Sequence, residues 1–154
     1  MKRFAIQCAV AALLVAGTAA AGPSTLQQQI KALEGIDLRA TPKHQVLAKT
    51  EALMALARKD RTLPLADLYT IRRIEASTWF FAGNATKALE LMNAIISDLG
   101  KTSERDSALM QEMRANRAAL LGQMGRTAEA LSELQSNRAW FAEHKGKQSE
   151  EYIT

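Results

Sequence analysis

The chain has 154 residues with 3 Pro, 8 Gly and a formal net charge of +4, enough for one domain or a short repeat array. Ala, Leu, Gln, Glu, Lys, Arg and Met dominate; all are good helix formers, so the expected class is all-α. The single cysteine, Cys8, excludes a disulfide framework, and the mild charge argues against nucleic acid as a partner.

Residues 1–21 have the pattern of a secretory signal peptide. Lys2 and Arg3 make a short positive start, Phe4 to Val15 an apolar run, and Ala19 and Ala21 an Ala-x-Ala cleavage site. The apolar run is too short for a stable membrane span. Thr18 stands where a lipidated cysteine would be needed, which leaves an exported chain beginning near Gly22, in a bacterial periplasm or secreted. Cys8 leaves with the leader, and losing Lys2 and Arg3 takes the net charge from +4 to +2.

Residues 22–154 read as one helical domain. Ser24 and Gln27 suit a capping box for a short helix whose Leu26, Ile30 and Leu33 share a face and which Gly35 ends. Ile36 to Pro42 is a connector. A second helix starts near Lys43, with Val46, Leu47, Leu53, Met54 and Ala57 at helical spacing, Thr50 interrupting them, and Arg58 to Arg61 at its end. Leu65 to Ala82 is the next, with Leu68, Ile71, Ala76 and Trp79 inward and Phe80 and Phe81 thickening its end. Gly83-Asn84 breaks it, and so short a link forces an antiparallel hairpin with the strongly periodic Ala85 to Leu99. After Gly100, Thr102 or Ser103 is the expected cap of a helix running to about Met124, with Leu109, Met113, Leu120 and Leu121 on its apolar side. Gly125 turns the chain, Thr127 caps a last helix to about His144, and Leu131, Leu134 and Phe141 point inward.

One pattern recurs at an offset of 42 residues. Gly83, Ala88-Leu89 and Met92 return as Gly125, Ala130-Leu131 and Leu134, a period that marks stacked helical hairpins. Adding 42 to Glu104 brings Gln148 to Thr154 to where another first helix would open. The end therefore reads either as a degenerate cap or as the opening of a longer array.

These residues resemble the tetratricopeptide repeat family over about residues 65–145. The first unit offers Ala76, Trp79, Gly83, Ala88 and Met92, the second Ala118, Leu121, Gly125, Ala130 and Leu134. Arg72 and Arg114 stand where the family has a large apolar residue, and Glu75 and Arg117 where it commonly has Leu. Residues 24–59 would supply an earlier, diverged hairpin, with Thr41 for the turn Gly and Val46 for the Ala. The resemblance implies a short α-solenoid of antiparallel hairpins whose first helices line a concave face that holds a protein or peptide. Carried over residue by residue, that face comprises Thr70, Arg73, Ser77, Phe80 and Phe81, then Glu112, Ala115, Ala119 and Gln123. The alternative for Phe80 and Phe81 is that they close the core.

No catalytic, cofactor or metal constellation stands out. His44 and His144 lack ligand-spaced partners, and His144 suits the negative pole of its helix. Glu104, Asp106 and Glu112 suit helix-start electrostatics and solubility. Arg72, Arg73, Arg114 and Arg117 form either a basic stripe or a solvated face paired with Glu75 and Glu112. The expected function is a non-catalytic exported scaffold for an unidentified protein or peptide. The alternatives are an assembly module of a larger envelope protein and, less favoured, a small hydrolase on a helical-repeat scaffold.

Overall fold

Six α-helices, with no strand, make up residues 25–144, the part of the chain that the computed structural model describes. They are α1 (Leu26–Glu34), α2 (Lys43–Ala57), α3 (Leu65–Phe81), α4 (Ala85–Leu99), α5 (Ala108–Gln123) and α6 (Thr127–His144). The expected leader, the Ser24 cap and the segment from Gly146 to Thr154 lie outside the described residues.

The α3–α4 and α5–α6 links close in the same way. Gly83 and Gly125 take φ of 83° and 78°, the left-handed region that a side chain resists. At the first, Gly83 N–H donates to Phe80 C=O and Asn84 N–H to Trp79 C=O, both at 2.9 Å. At the second, Gly125 N–H donates to Gly122 C=O at 3.0 Å and Arg126 N–H to Leu121 C=O at 2.9 Å. This paired capping satisfies carbonyls that a helix end leaves open and reverses the chain within a few residues. Gly35, at φ −75°, ends α1 without a left-handed residue.

The 42-residue register continues through burial. In the second helix of each hairpin, Val46, Ala88 and Ala130 are buried; so are Leu53, Ile95 and Asn137, and Ala57, Leu99 and Phe141. In the first helices, Ile71 pairs with Met113 and Ala76 with Ala118, all buried. Residues 26–57 therefore supply a hairpin, α1–α2, whose second helix keeps the register and whose first helix is only 9 residues long.

Helices α1, α3 and α5 touch in sequence and form an inner layer, whereas α2, α4 and α6 lie outside and do not contact one another. The core has two parts. Ile71 and Ile74 of α3 pack with Ile30, Leu33, Val46 and Leu53, while Tyr69 and Ala76 pack with residues of α4 and α5 such as Ile95, Leu99 and Met113. Helix α3 thus buries side chains toward both neighbours. Each fully buried Ile or Leu contributes on the order of 1.5–3 kcal/mol.

Several local expectations change. The capping box of α1 is one residue later: Thr25 Oγ1 accepts from Gln28 N–H at 3.3 Å, and Thr25 N–H donates to Gln28 Oε1 at 2.9 Å. Thr50 does not interrupt α2, because it is buried and its hydroxyl donates to Leu47 C=O at 2.8 Å. Helix α2 stops at Ala57, so Arg58 is its C-cap and no basic residue occupies its last turn. Thr102 caps only a 3₁₀ turn, Ser103–Asp106; Ser107 caps α5, its hydroxyl oxygen accepting from Met110 N–H at 3.3 Å. Thr127 is the first residue of α6 and not its cap. Leu131 and Leu134 are 55% and 47% exposed, where their counterparts Leu89 and Met92 pack in the core cluster. Met92 is covered by α5-side residues, and among the described residues no helix follows α6 to cover Leu134.

Arg72 also departs from expectation. It pairs with Asp98 of α4 at 2.8 Å, not with Glu75, and its guanidinium carbon lies 5.4 Å from the Tyr69 ring centroid. The hydrogen bond from Arg72 holds the Asp98 carboxyl below its usual range. A lowered folded-state value means that this contribution is present above the ordinary carboxylate pKa and is lost as pH falls through the folded value. Asp98→Asn is therefore expected to flatten the acid side of the stability–pH curve below about pH 5, measured by urea unfolding across pH. Gly83→Ala and Gly125→Ala are each expected to cost about 1–2 kcal/mol in the same assay. Gly35→Ala, with Ala32 O 3.7 Å from the new Cβ, is expected to be neutral or stabilising by up to about 1 kcal/mol.

Candidate functional site

The inner layer carries the residues from which a site can be built. Thr70, Arg73, Ser77, Phe80 and Phe81 recur on α3 at helical spacing, and Glu112, Ala115, Ala119 and Gln123 do so on α5. The small residues Ala76 and Ala118, each 1% exposed, leave room for close helix packing.

Arg73 ties this face together. Its Nη2 lies 3.5 Å from Glu34 Oε1 on α1, and its Nε lies 3.8 Å from Glu112 Oε1 on α5. One cation thus spans all three inner helices. Below it, toward the α3 C-terminus, lies a recess of about 190 Å³. Ser77, Phe80 and Phe81 line it from α3, and Asn116, Ala119 and Gln123 from α5. Ala76, Met92 and Leu120 complete it. Of the residues expected on this face, Ser77, Phe80, Phe81, Ala119 and Gln123 meet at the recess, Arg73 and Glu112 meet as an ion pair, and Thr70 and Ala115 are not part of the recess lining.

The two phenylalanines divide between the readings set out for them. Their rings meet edge-on, with centroids 5.5 Å apart at 72°. Phe80 is partly buried and packs on the core, as a closing residue would. Phe81 is 38% exposed, and Arg39 and Lys43 each bring a cation to 5.7 Å from its ring centroid. Asn116, Arg39 and Lys43 were not among the expected residues. Asn116 lies four residues after Glu112 and is reachable by helical arithmetic. Arg39 and Lys43 come from the α1–α2 connector and the first turn of α2, where no periodic signal exists.

The larger hollow, about 620 Å³ between α4 and α6, is a weaker candidate. Its central cation is occupied: Arg117 Nε donates to Glu133 Oε2 at 2.9 Å, and Nη1 donates to Asn93 Oδ1 at 3.0 Å. With Arg72 on Asp98 and Arg73 on Glu34 and Glu112, three of the four arginines of the supposed basic stripe, Arg72, Arg73 and Arg117, are ion-paired rather than aligned for an external anion. His144 stacks on Trp140, with ring centroids 4.2 Å apart, and its Nδ1 is 2.9 Å from Trp140 O. The Trp140 indole donates to Asp106, so that carboxylate is committed to the α6 end. Among the described residues no three His, Cys, Asp or Glu side chains group as metal ligands would, and no helix is long and apolar enough to cross a membrane.

Comparison with known proteins bears on the fold. No protein-family model matches the sequence, and no curated protein matches it significantly. Among solved structures, the chain is similar to BtubC (BKLC) from P. vanneervenii, with a TM-score of 0.63 at 14% identity. The likeness covers 84% of this chain and 62% of BtubC, so the chain spans less than two thirds of that neighbour. This supports an all-helical, repeat-like stack.

The Glu34 and Glu112 carboxylates that Arg73 reaches are about half exposed, and its contacts at 3.5 and 3.8 Å are long, so removing the charge is cheap. Arg73→Met is expected to cost no more than about 1 kcal/mol at 0.15 M NaCl and less at 1 M, read from urea unfolding at both salt concentrations.

Proposed function

We propose that the protein is an exported, tetratricopeptide-like scaffold that holds a protein or peptide segment in the groove between α3 and α5, without chemistry of its own. The observation that carries this reading is the recess beside Phe80 and Phe81. It combines an apolar floor with Ser77, Asn116 and Gln123. Hydroxyl and amide side chains at that place can donate to and accept from an extended peptide backbone, while the floor takes a side chain. At about 190 Å³ the recess is below the few hundred Å³ of a typical small-molecule pocket, which favours one side chain of a longer partner over a whole small ligand. Export rests on the leader pattern of residues 1–21, and the tetratricopeptide likeness on the Gly and Ala positions of the 42-residue repeat.

A second reading, an assembly module of a larger envelope protein, is favoured by Leu131 and Leu134. They are exposed at positions whose counterparts pack within the stack, as a face awaiting another helix would be.

Site-specific photo-crosslinking separates the surfaces. A photoreactive residue at Ser77 or Gln123 is expected to capture a partner in cells, and one at Lys87 or Glu90 on α4 is not. Capture confined to Leu131 and Leu134 would transfer the binding role to the α6 face, and capture at none of these positions would sink the scaffold reading.

A further inference from the structure

The Phe81 end of the groove differs in charge from the rest of the inner layer. Arg73 is held between Glu34 and Glu112. Arg39 and Lys43, by contrast, form no ion pair among the described residues; each faces the Phe81 ring, and the Lys43 ammonium also donates to Leu38 C=O. The nearby carboxylate, Asp37, is committed elsewhere. Its Oδ1 accepts from Arg39 N–H at 2.8 Å and Ala40 N–H at 3.3 Å, and these bonds, reinforced by the two cations, keep it ionised within the connector. Two cations on one exposed aromatic ring therefore have capacity for a carboxylate from outside.

The same ring lines the recess. A ligand side chain seated there lies beside Phe81, and the Arg39 and Lys43 cations each lie 5.7 Å from the centre of that ring, a span comparable to two residue steps of about 3.3 Å in an extended chain. Asn116 Nδ2 already donates to Glu112 C=O at 2.9 Å, which leaves its Oδ1 to accept from a ligand N–H.

We propose that this end of the groove recognises an acidic peptide segment: a large apolar side chain occupies the recess, and a neighbouring Asp or Glu binds Arg39 and Lys43 beside Phe81. The proposal rests on the groove reading above and adds the ligand's chemistry to it. Positively charged segments are excluded by the same two cations, which gives the site a sign as well as a shape.

The test is selection from a random ten-residue display library on the full chain, in parallel with R39E/K43E and A119W. Arg39 and Ala119 are exposed and Lys43 is partly exposed, and circular dichroism checks that each variant keeps its helix content. Q123W, also at an exposed groove position, serves if A119W does not fold. The expected result is a set of clones in which a large apolar residue is flanked by Asp or Glu, with acidic residues enriched at least three-fold over the library. R39E/K43E loses the acidic enrichment and keeps the apolar one, and A119W loses both. For a selected peptide made synthetically, Glu→Gln replacement is expected to weaken binding at least ten-fold by fluorescence anisotropy, less so at 0.5 M NaCl. Groove-dependent clones without acidic enrichment would overturn the acidic specificity and leave the groove reading standing. Clones indifferent to A119W and Q123W, or no enriched clones, would overturn both. Self-association abolished by A119W would assign the groove to a second copy of the chain, against the proposal.

Discussion

The close approach of the two helices in the α3–α4 and α5–α6 hairpins is the constraint on which the stack depends. Ala88 on α4 is fully buried, and Ala130, its counterpart on α6, lies near Gly122 of α5, where an added Cβ would stand 3.9 Å from the Ala130 Cβ. A larger residue at these points would hold the helices apart, and overpacking of this kind costs typically about 1–3 kcal/mol. The left-handed glycines set the same geometry from the other side, by reversing the chain within three or four residues. Helix spacing and turn geometry agree, and that agreement lets one hairpin stack on the next.

The stack in turn makes the groove. Helix α3 has apolar neighbours on both sides, which locks its rotation about its own axis and so decides which side chains are left facing the open side. Ser77 and Phe81 are presented there because Ile71, Ile74 and Ala76 are buried. The connector before α2 then contributes Arg39 and Lys43 against Phe81. In this architecture regular elements supply the platform, and an irregular connector supplies the charge that distinguishes one end of it.

The last hairpin is built differently. Where the preceding unit buries Tyr69 and Ile95, α5 and α6 bury Gln111 and Asn137. Asn137 Nδ2 donates to Gln111 C=O at 2.7 Å, but Gln111 Oε1 and Asn137 Oδ1 have no partner among the described residues. Buried amides with open oxygens stabilise less than the aliphatic packing they replace. Outside that pair, Arg117 with Glu133 ties α6 to α5, and Trp140 with Asp106 ties α6 to the 3₁₀ turn before α5, both through polar contacts. The α5–α6 unit thus relies more on polar ties, while the middle of the stack relies on apolar burial.

How much of this was written in the chain follows from range. Ala85–Leu99 was legible to the residue, because a periodic apolar face fills it and a cap and a closing glycine, Asn84 and Gly100, immediately flank it. The hairpins and their 42-residue register were legible too, since left-handed turns demand glycine and close helices demand alanine, and both are marks on single residues. The start of α5 was not, because Thr102, Ser103 and Ser107 are all competent caps and only the 3₁₀ turn between them decides. Leu131 and Leu134 look as inward as Leu89 and Met92; what differs is that among the described residues a helix follows α4 and none follows α6, which is not a property of the residue. The pairing of Arg72 with Asp98 and of Arg73 with Glu34 and Glu112, and the meeting of Arg39 and Lys43 over Phe81, join residues up to 42 positions apart whose local sequence says nothing of their partner. The sequence by itself determined the helices, their turns and their repeat, because these depend on backbone preference and periodicity. Only the tertiary structure decided which exposed side chains meet, because that depends on how whole helices are rotated and stacked.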